Sequence, residues 1–130
     1  MAGRNLALLK AVLDAFNEGR LDDLERLCGA DLRYTIRGHG PLAGFYEGPE
    51  AFTRALGRVK ELTDGTMTLE PEVLLEGEDA VMMYARVAGT RPDGRTYRNF
   101  QAYLYRFRDG LLVEGQTIPV DQAAFDEFTS

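Results

Sequence analysis

YRNFQAYLYRFRDGLLVEGQTIP, residues 97–119, decides the fold. It reads as two long strands joined at Asp109-Gly110, because an Asp-Gly pair between β-rich runs supplies both positive-φ residues of a tight hairpin turn. A two-residue loop sets Arg108 against Leu111. The ladder then pairs Phe107 with Leu112, Tyr105 with Glu114, Tyr103 with Gln116, and Gln101 with Ile118. Side chains alternate with a period of two, so these pairs share one face. That face is apolar near the turn and becomes polar and aromatic further along, through Tyr103, Gln101, Asn99 and Gln116. A buried polar group without a partner costs about 1–3 kcal/mol. So many amides and hydroxyls on one inward face point to a lined pocket instead of a solid core.

Working outward, the 130 residues suit one domain, 1–130, large enough to bury a core of its own. The net charge of −6 and a pI near 4.8 argue against nucleic-acid or anionic-membrane partners, which need basic surfaces. No apolar run approaches the length of a membrane span. The start of the chain lacks the apolar segment and cleavage pattern of a secretory signal, so the cytoplasm is the expected compartment. The single cysteine, Cys28, follows a Leu21, Leu24, Leu27 stripe and reads as a buried, inert thiol. One histidine, one cysteine and no carboxylate triad leave no metal site to propose. The glycine-rich loops lack the spacing of a phosphate cradle, so no cofactor is expected.

Upstream of the hairpin, residues 5–17 place Leu6, Leu9, Leu13 and Phe16 on one helical face, with Asn5 as cap and Gly19 at the end. A short helix at 21–28 follows. Residues 31–38 alternate Leu32, Tyr34 and Ile36 against Arg33, Thr35 and Arg37, the pattern of a strand with one wet face. Residues 38–49 are crowded with Gly and Pro and read as a shaped loop. Gly48-Pro49-Glu50 opens a third helix whose stripe is Phe52, Ala55, Leu56, Val59 and Leu62. Strands follow at 66–76, where Pro71 marks an edge or a bulge, and at 80–89. The order implies an α+β fold with helices gathered on one face of a curved, mostly antiparallel sheet.

This organisation, with the motifs GADLRYTIRG, GPLAGFYEGPEAF, ELTDGTMTLE, RFRDGLLVEG and DQAAFDEF, resembles the SnoaL-like, ketosteroid-isomerase-like branch of the nuclear transport factor 2-like superfamily. The resemblance implies a cone-shaped roll: three N-terminal helices packed on a strongly bent sheet that encloses an apolar cavity. It also implies a homodimer through the outer face of the sheet, where Phe100, Ala102, Leu104 and Val113 lie together. Relatives include ketosteroid isomerases, polyketide cyclases, epoxide hydrolases and dehydratases, so the fold does not fix the reaction.

Four residues are candidates for chemistry. Tyr103 stands roughly where the isomerases hold a protonated acid that donates to an oxyanion, and a phenol can donate in the same way. Its plain alternative is a wall aromatic. His39, in the loop beside the expected cavity mouth, is either a general acid–base or a surface imidazole. Asp121 occupies a place where SnoaL-like cyclases carry polar residues, yet it equally suits the N-cap of a short helix carrying Phe125 and Phe128. Arg86 enters the cavity if Asp93-Gly94 is a two-residue turn, pairing Arg86 with Gln101 and Tyr84 with Tyr103; a longer turn sends it outside.

The expected lining is Tyr34, Ile36, Phe52, Tyr84, Asn99, Gln101, Tyr105, Glu114, Gln116 and Ile118. Glu114, if inward, needs Arg86 or Arg106 as partner or must be neutral. Many relatives have a tryptophan where Gln116 stands. The isomerase base falls near Arg37-Gly38, where no acid stands, and Tyr97 to Tyr105 contains no acid for an epoxide-hydrolase pattern. Three readings stay open. One is cofactor-free acid–base chemistry, of isomerase, cyclase or hydrolase type, on a small hydrophobic or carbonyl-containing compound. The second is a non-catalytic binding domain, and the third a dimeric interaction module.

Overall fold

The computed structural model describes residues 3–130. Helices α1 (Arg4–Asn17) and α2 (Leu21–Arg26) lead into strand β1 (Cys28–Ile36), the short strand β2 (Gly44–Glu47) and helix α3 (Pro49–Leu62). Strands β3 (Thr68–Glu76), β4 (Ala80–Thr90), β5 (Thr96–Arg108) and β6 (Leu111–Pro119) follow, and helix α4 (Gln122–Thr129) ends the chain. The six strands form one curved sheet in the order β2-β1-β6-β5-β4-β3, antiparallel except where β1 runs parallel to β6. This is the α+β roll expected, with one addition: part of the 38–49 loop is strand β2, zipped onto β1 from Arg33↔Glu47 to Ile36↔Gly44. The short helix read around Phe125 and Phe128 is α4, a fourth beside the three N-terminal ones.

Local chemistry explains the element ends. Gly19, at φ 72°, closes α1 as its N–H and that of Arg20 reach back to the carbonyls of Phe16 and Ala15. Gly48, at φ 88°, hands over to Pro49 at the first position of α3. The α1 start is not capped by Asn5 as expected. The Glu76 carboxylate at the end of β3 accepts the N–H groups of Gly3, Asn5 and Leu6 at 2.7–3.1 Å, while the Asn5 amide donates to Glu78. A charged acceptor outcompetes a neutral side chain at the positive end of a helix. Pro71 lies on edge strand β3 beside a register shift, so both expectations for it hold.

Register decides which side chains face inward, and here two expectations fail. Asp109 and Gly110 do form the two-residue turn, at φ 54° and 78°, and Arg108↔Leu111 and Phe107↔Leu112 pair as read. Then Val113 is extra: Arg106 opposes Glu114, Tyr105 opposes Gly115, and Tyr103 opposes Thr117. This bulge turns Glu114, Gln116 and Ile118 outward and brings Gly115 and Thr117 in. It spares the core a carboxylate, and Glu114 instead lies 3.6 Å from Arg106 on the outer surface.

In the β4–β5 hairpin the loop holds three residues, Pro92-Asp93-Gly94, closed by Arg91 N–H to Arg95 carbonyl at 2.8 Å with Gly94 at φ 95°. The ladder is therefore shifted by one from the expected pairing, with Val87↔Asn99, Ala85↔Gln101 and Met83↔Tyr103. Arg86 and Tyr84 consequently face outward. Arg86 pairs with Glu72, and Tyr84 stacks on Phe100 at 5.1 Å between ring centres. On the inner face Tyr97, Asn99, Gln101, Tyr103, Tyr105 and Phe107 form one buried row, its Tyr97 end covered by Phe125 and Phe128 of α4.

Candidate functional site

Between α1, α3 and the concave sheet face lies a cavity of about 70 Å³. Val12, Leu13 and Phe16 of α1 and Phe52, Leu56 and Val59 of α3 form one wall, at the helical spacing read from sequence. Tyr34 and Ile36 of β1 and Val87 of β4 form the opposite one. Leu42, from the loop after β1, and Phe125 of α4 close an end. The polar side is built by Gln101, Tyr103, Tyr105 and Thr117. Five of the ten expected lining residues line the hollow, Tyr34, Ile36, Phe52, Gln101 and Tyr105, and Tyr103 joins them from the chemistry candidates. Asn99 is buried but stands behind the wall. Tyr84, Glu114, Gln116 and Ile118 lie on the other side of the sheet.

The polar groups form a connected set. Asn99 Nδ2 donates to the Tyr97 hydroxyl at 2.7 Å and to the Asp121 carbonyl at 2.9 Å. The Tyr97 hydroxyl donates to Gln101 Oε1 at 2.6 Å, and Gln101 Nε2 donates to the Tyr103 hydroxyl. Beside them Tyr34 and Thr117 share a hydrogen bond of 2.6 Å. Tyr34 is also stacked on Phe52 with 4.3 Å between centres. Sheet curvature brings these inward side chains together along β5, which alternation alone would keep about 7 Å apart.

Every titratable group lining the hollow is a phenol. Burial pushes Tyr34 up to about 12, and it holds Tyr103 and Tyr105 well above the usual tyrosine range. The chamber is therefore uncharged at any ordinary pH. Among the described residues no carboxylate or imidazole lines it to take a proton.

The remaining chemistry candidates sit elsewhere. Asp121 is the N-cap of α4, its Oδ1 accepting from Ala124 N–H at 3.0 Å. His39 is exposed in the loop after β1, beside an outer groove of about 400 Å³ with Arg37 and Gln122. Its backbone N–H is held by Asp126 at 3.0 Å. Cys28 is buried, donates to the Leu24 carbonyl at 3.4 Å, and is pushed up to about 12 by burial, as an inert thiol should be. Sequence reading missed Thr117 and Gly115, which the bulge rotates inward, and Tyr97, whose role depends on reaching along the strand. Phe125 and Phe128 were visible as helical spacing, but nothing in the sequence said that α4 folds back over the hollow. Phe128 stacks on Tyr97 at 4.9 Å.

The model of the SnoaL-like domain matches residues 9–115, a span that takes in α3, most of α1 and most of the sheet around the hollow. The chain belongs to the SnoaL-like family. An uncharacterised protein of Mycobacterium tuberculosis is 27% identical to this SnoaL-like chain over 125 residues, covering 95% of each. Among solved structures, Bal32a from a soil-derived mobile gene cassette superposes with a TM-score of 0.93 at 25% identity, over 99% of this chain and 98% of that one. TerC, co-crystallised with polyporic acid, superposes at 0.85 with 21% identity, over 97% and 98% of the two chains. The fold is that of nuclear transport factor 2-like proteins, one of which, from Burkholderia xenovorans, superposes at 0.84 with 19% identity over 100% and 98% of the two chains.

Proposed function

We propose that this SnoaL-like protein binds a small, largely apolar metabolite inside the cone and holds its one polar function at the Tyr103 hydroxyl. The observation that carries this reading is a hollow with apolar walls and a single uncharged polar side. Such a lining, apolar with a few placed polar groups, is what small-molecule sites share. TerC, a structural neighbour, was co-crystallised with polyporic acid, which supports a small-molecule ligand for this fold. Thermal-shift screening of small ketones, phenols and lactones tests the reading, because a ligand at 100 times its Kd adds about 2.7 kcal/mol of stability. Stabilisation that Tyr103→Phe reduces supports it. If no apolar compound stabilises the wild type, the reading fails.

A second reading is cofactor-free catalysis, favoured by one feature: a buried phenol donor backed by an amide in an apolar-walled site. Such a donor stabilises negative charge developing on a carbonyl oxygen. The hollow holds no carboxylate or imidazole, so the substrate would have to supply its own base. Turnover that disappears in Tyr103→Phe would establish this reading over simple binding.

The assembly belongs to the proposal too. Val73, Leu75, Met82 and Tyr84 lie exposed on the outer sheet face, contiguous with the half-buried Phe100, Ala102 and Leu104. A second copy of the chain, related by a two-fold axis, is the partner proposed for this apolar surface.

A further inference from the structure

Resting on the binding reading above, we propose that the ligand must meet the hollow as a hydrogen-bond acceptor, a carbonyl-type oxygen, and that the buried relay Asn99–Tyr97–Gln101 sets this preference from behind the wall. Which way a side-chain amide points is settled by its partners, and here the backbone fixes it. The Asp121 N–H can only donate, and it donates to Asn99 Oδ1 at 3.2 Å. The Asp121 carbonyl can only accept, and it accepts from Asn99 Nδ2 at 2.9 Å. Asn99 is therefore locked at both ends.

The lock propagates. The remaining Asn99 hydrogen goes to the Tyr97 oxygen, so the Tyr97 proton must go onward, to Gln101 Oε1 at 2.6 Å. Gln101 is left facing Tyr103 with its N–H, and the Tyr103 oxygen accepts it. The Tyr103 proton then points away from Gln101, toward the hollow, with no acceptor for it among the described residues. Running the relay in reverse would set two donors, or two acceptors, against each other at Asp121. Tyr34 and Thr117 satisfy one another at 2.6 Å and do not compete for that proton.

A carbonyl completes this arrangement. A donor-only ligand meets an oxygen that already accepts a hydrogen, and a carboxylate meets no cation. Neither Asn99 nor Tyr97 lines the hollow, so both are positioning residues acting through Gln101 and Tyr103.

Three five-membered probes of similar shape separate the possibilities: cyclopentanone, an acceptor; methylenecyclopentane, which is neither; and pyrrole, a donor. Their affinities are read from the aromatic and methyl NMR signals of the chamber in the full chain. The wild type should hold cyclopentanone roughly fivefold to tenfold tighter than methylenecyclopentane, the worth of one net hydrogen bond, with pyrrole no tighter than the hydrocarbon. Tyr97→Phe keeps the ring stacked on Phe128 and cuts the relay. The ketone preference should shrink to within about twofold while hydrocarbon affinity stays put; a general loosening would lower all three together. Tyr103→Phe, which leaves the relay's other members in place, should abolish the preference.

Equal binding of all three probes by the wild type, or a preference for pyrrole, overturns the inference and leaves the pocket standing. An unchanged ratio in Tyr97→Phe overturns the relay's part in it. If none of the three enters, the binding reading falls and this inference with it.

Discussion

Gly115 shows how narrowly single residues constrain this interior. A Cβ there would sit 2.4 Å from Tyr34 Cε2 and 2.6 Å from Cδ2, and that ring is pinned by its stack on Phe52 and its bond to Thr117. Gly115→Ala should therefore cost about 1–3 kcal/mol in urea unfolding, as overpacking does. The phenols make a second residue-level prediction. Burial raises Tyr34, Tyr97, Tyr103 and Tyr105 above the ordinary tyrosine value of 10. The unfolded chain loses these protons near pH 10 while the folded chain keeps them, so the native state binds more protons and stability falls as pH rises past 10. The limit is about 1.4 kcal/mol per pH unit for each phenol. Denaturant midpoints at pH 9, 10 and 11 should decline, and Tyr105→Phe should make that decline shallower.

At the scale of elements, Glu76 joins the tip of β3 to the start of α1. Its three backbone bonds, that of Gly3 foremost, hold its carboxyl below the usual glutamate range. A depressed folded value means the contribution is present above the unfolded value and is lost as pH falls through the folded one. Glu76→Gln should flatten the acid limb of the stability profile and raise amide exchange in the first turn of α1. Such long-range caps explain part of what the sequence could not tell: Asn5 is a sound local cap, but a carboxylate brought by another strand displaced it. The Asp109-Gly110 turn and the stripes of α1 and α3 were legible because turn chemistry and periodicity are local. The inward row of β5 was legible too: Gln101, Tyr103 and Tyr105 do face the hollow. The register of its neighbours was not, since one residue decides it: Pro92 lengthens one loop, and Val113 bulges so that Gly115 meets Tyr34. Deleting Val113 should remove the bulge yet leave Arg106 opposite Glu114 and Tyr105 opposite Gly115, so Glu114 and Gln116 stay outward and the chain still unfolds cooperatively by circular dichroism.

The whole molecule presents two unlike sheet faces, a concave one around a hollow and a convex one with Leu75 63% and Met82 42% exposed. If a second copy covers the convex face, light scattering should give twice the 14.5 kDa chain mass, and Met82→Glu with Leu75→Glu should halve it without loss of helix content. Neither result bears on the interior, which is the central claim. Apolar cavities of this kind take up xenon, so the most direct measurement is the diffraction pattern of crystals held under xenon pressure. The expected result is a xenon atom between α1, α3 and the inner face of β5, in van der Waals contact with Phe52, Leu56 and Tyr103. An interior with no xenon there, packed solid by the side chains that should surround it, would contradict the account.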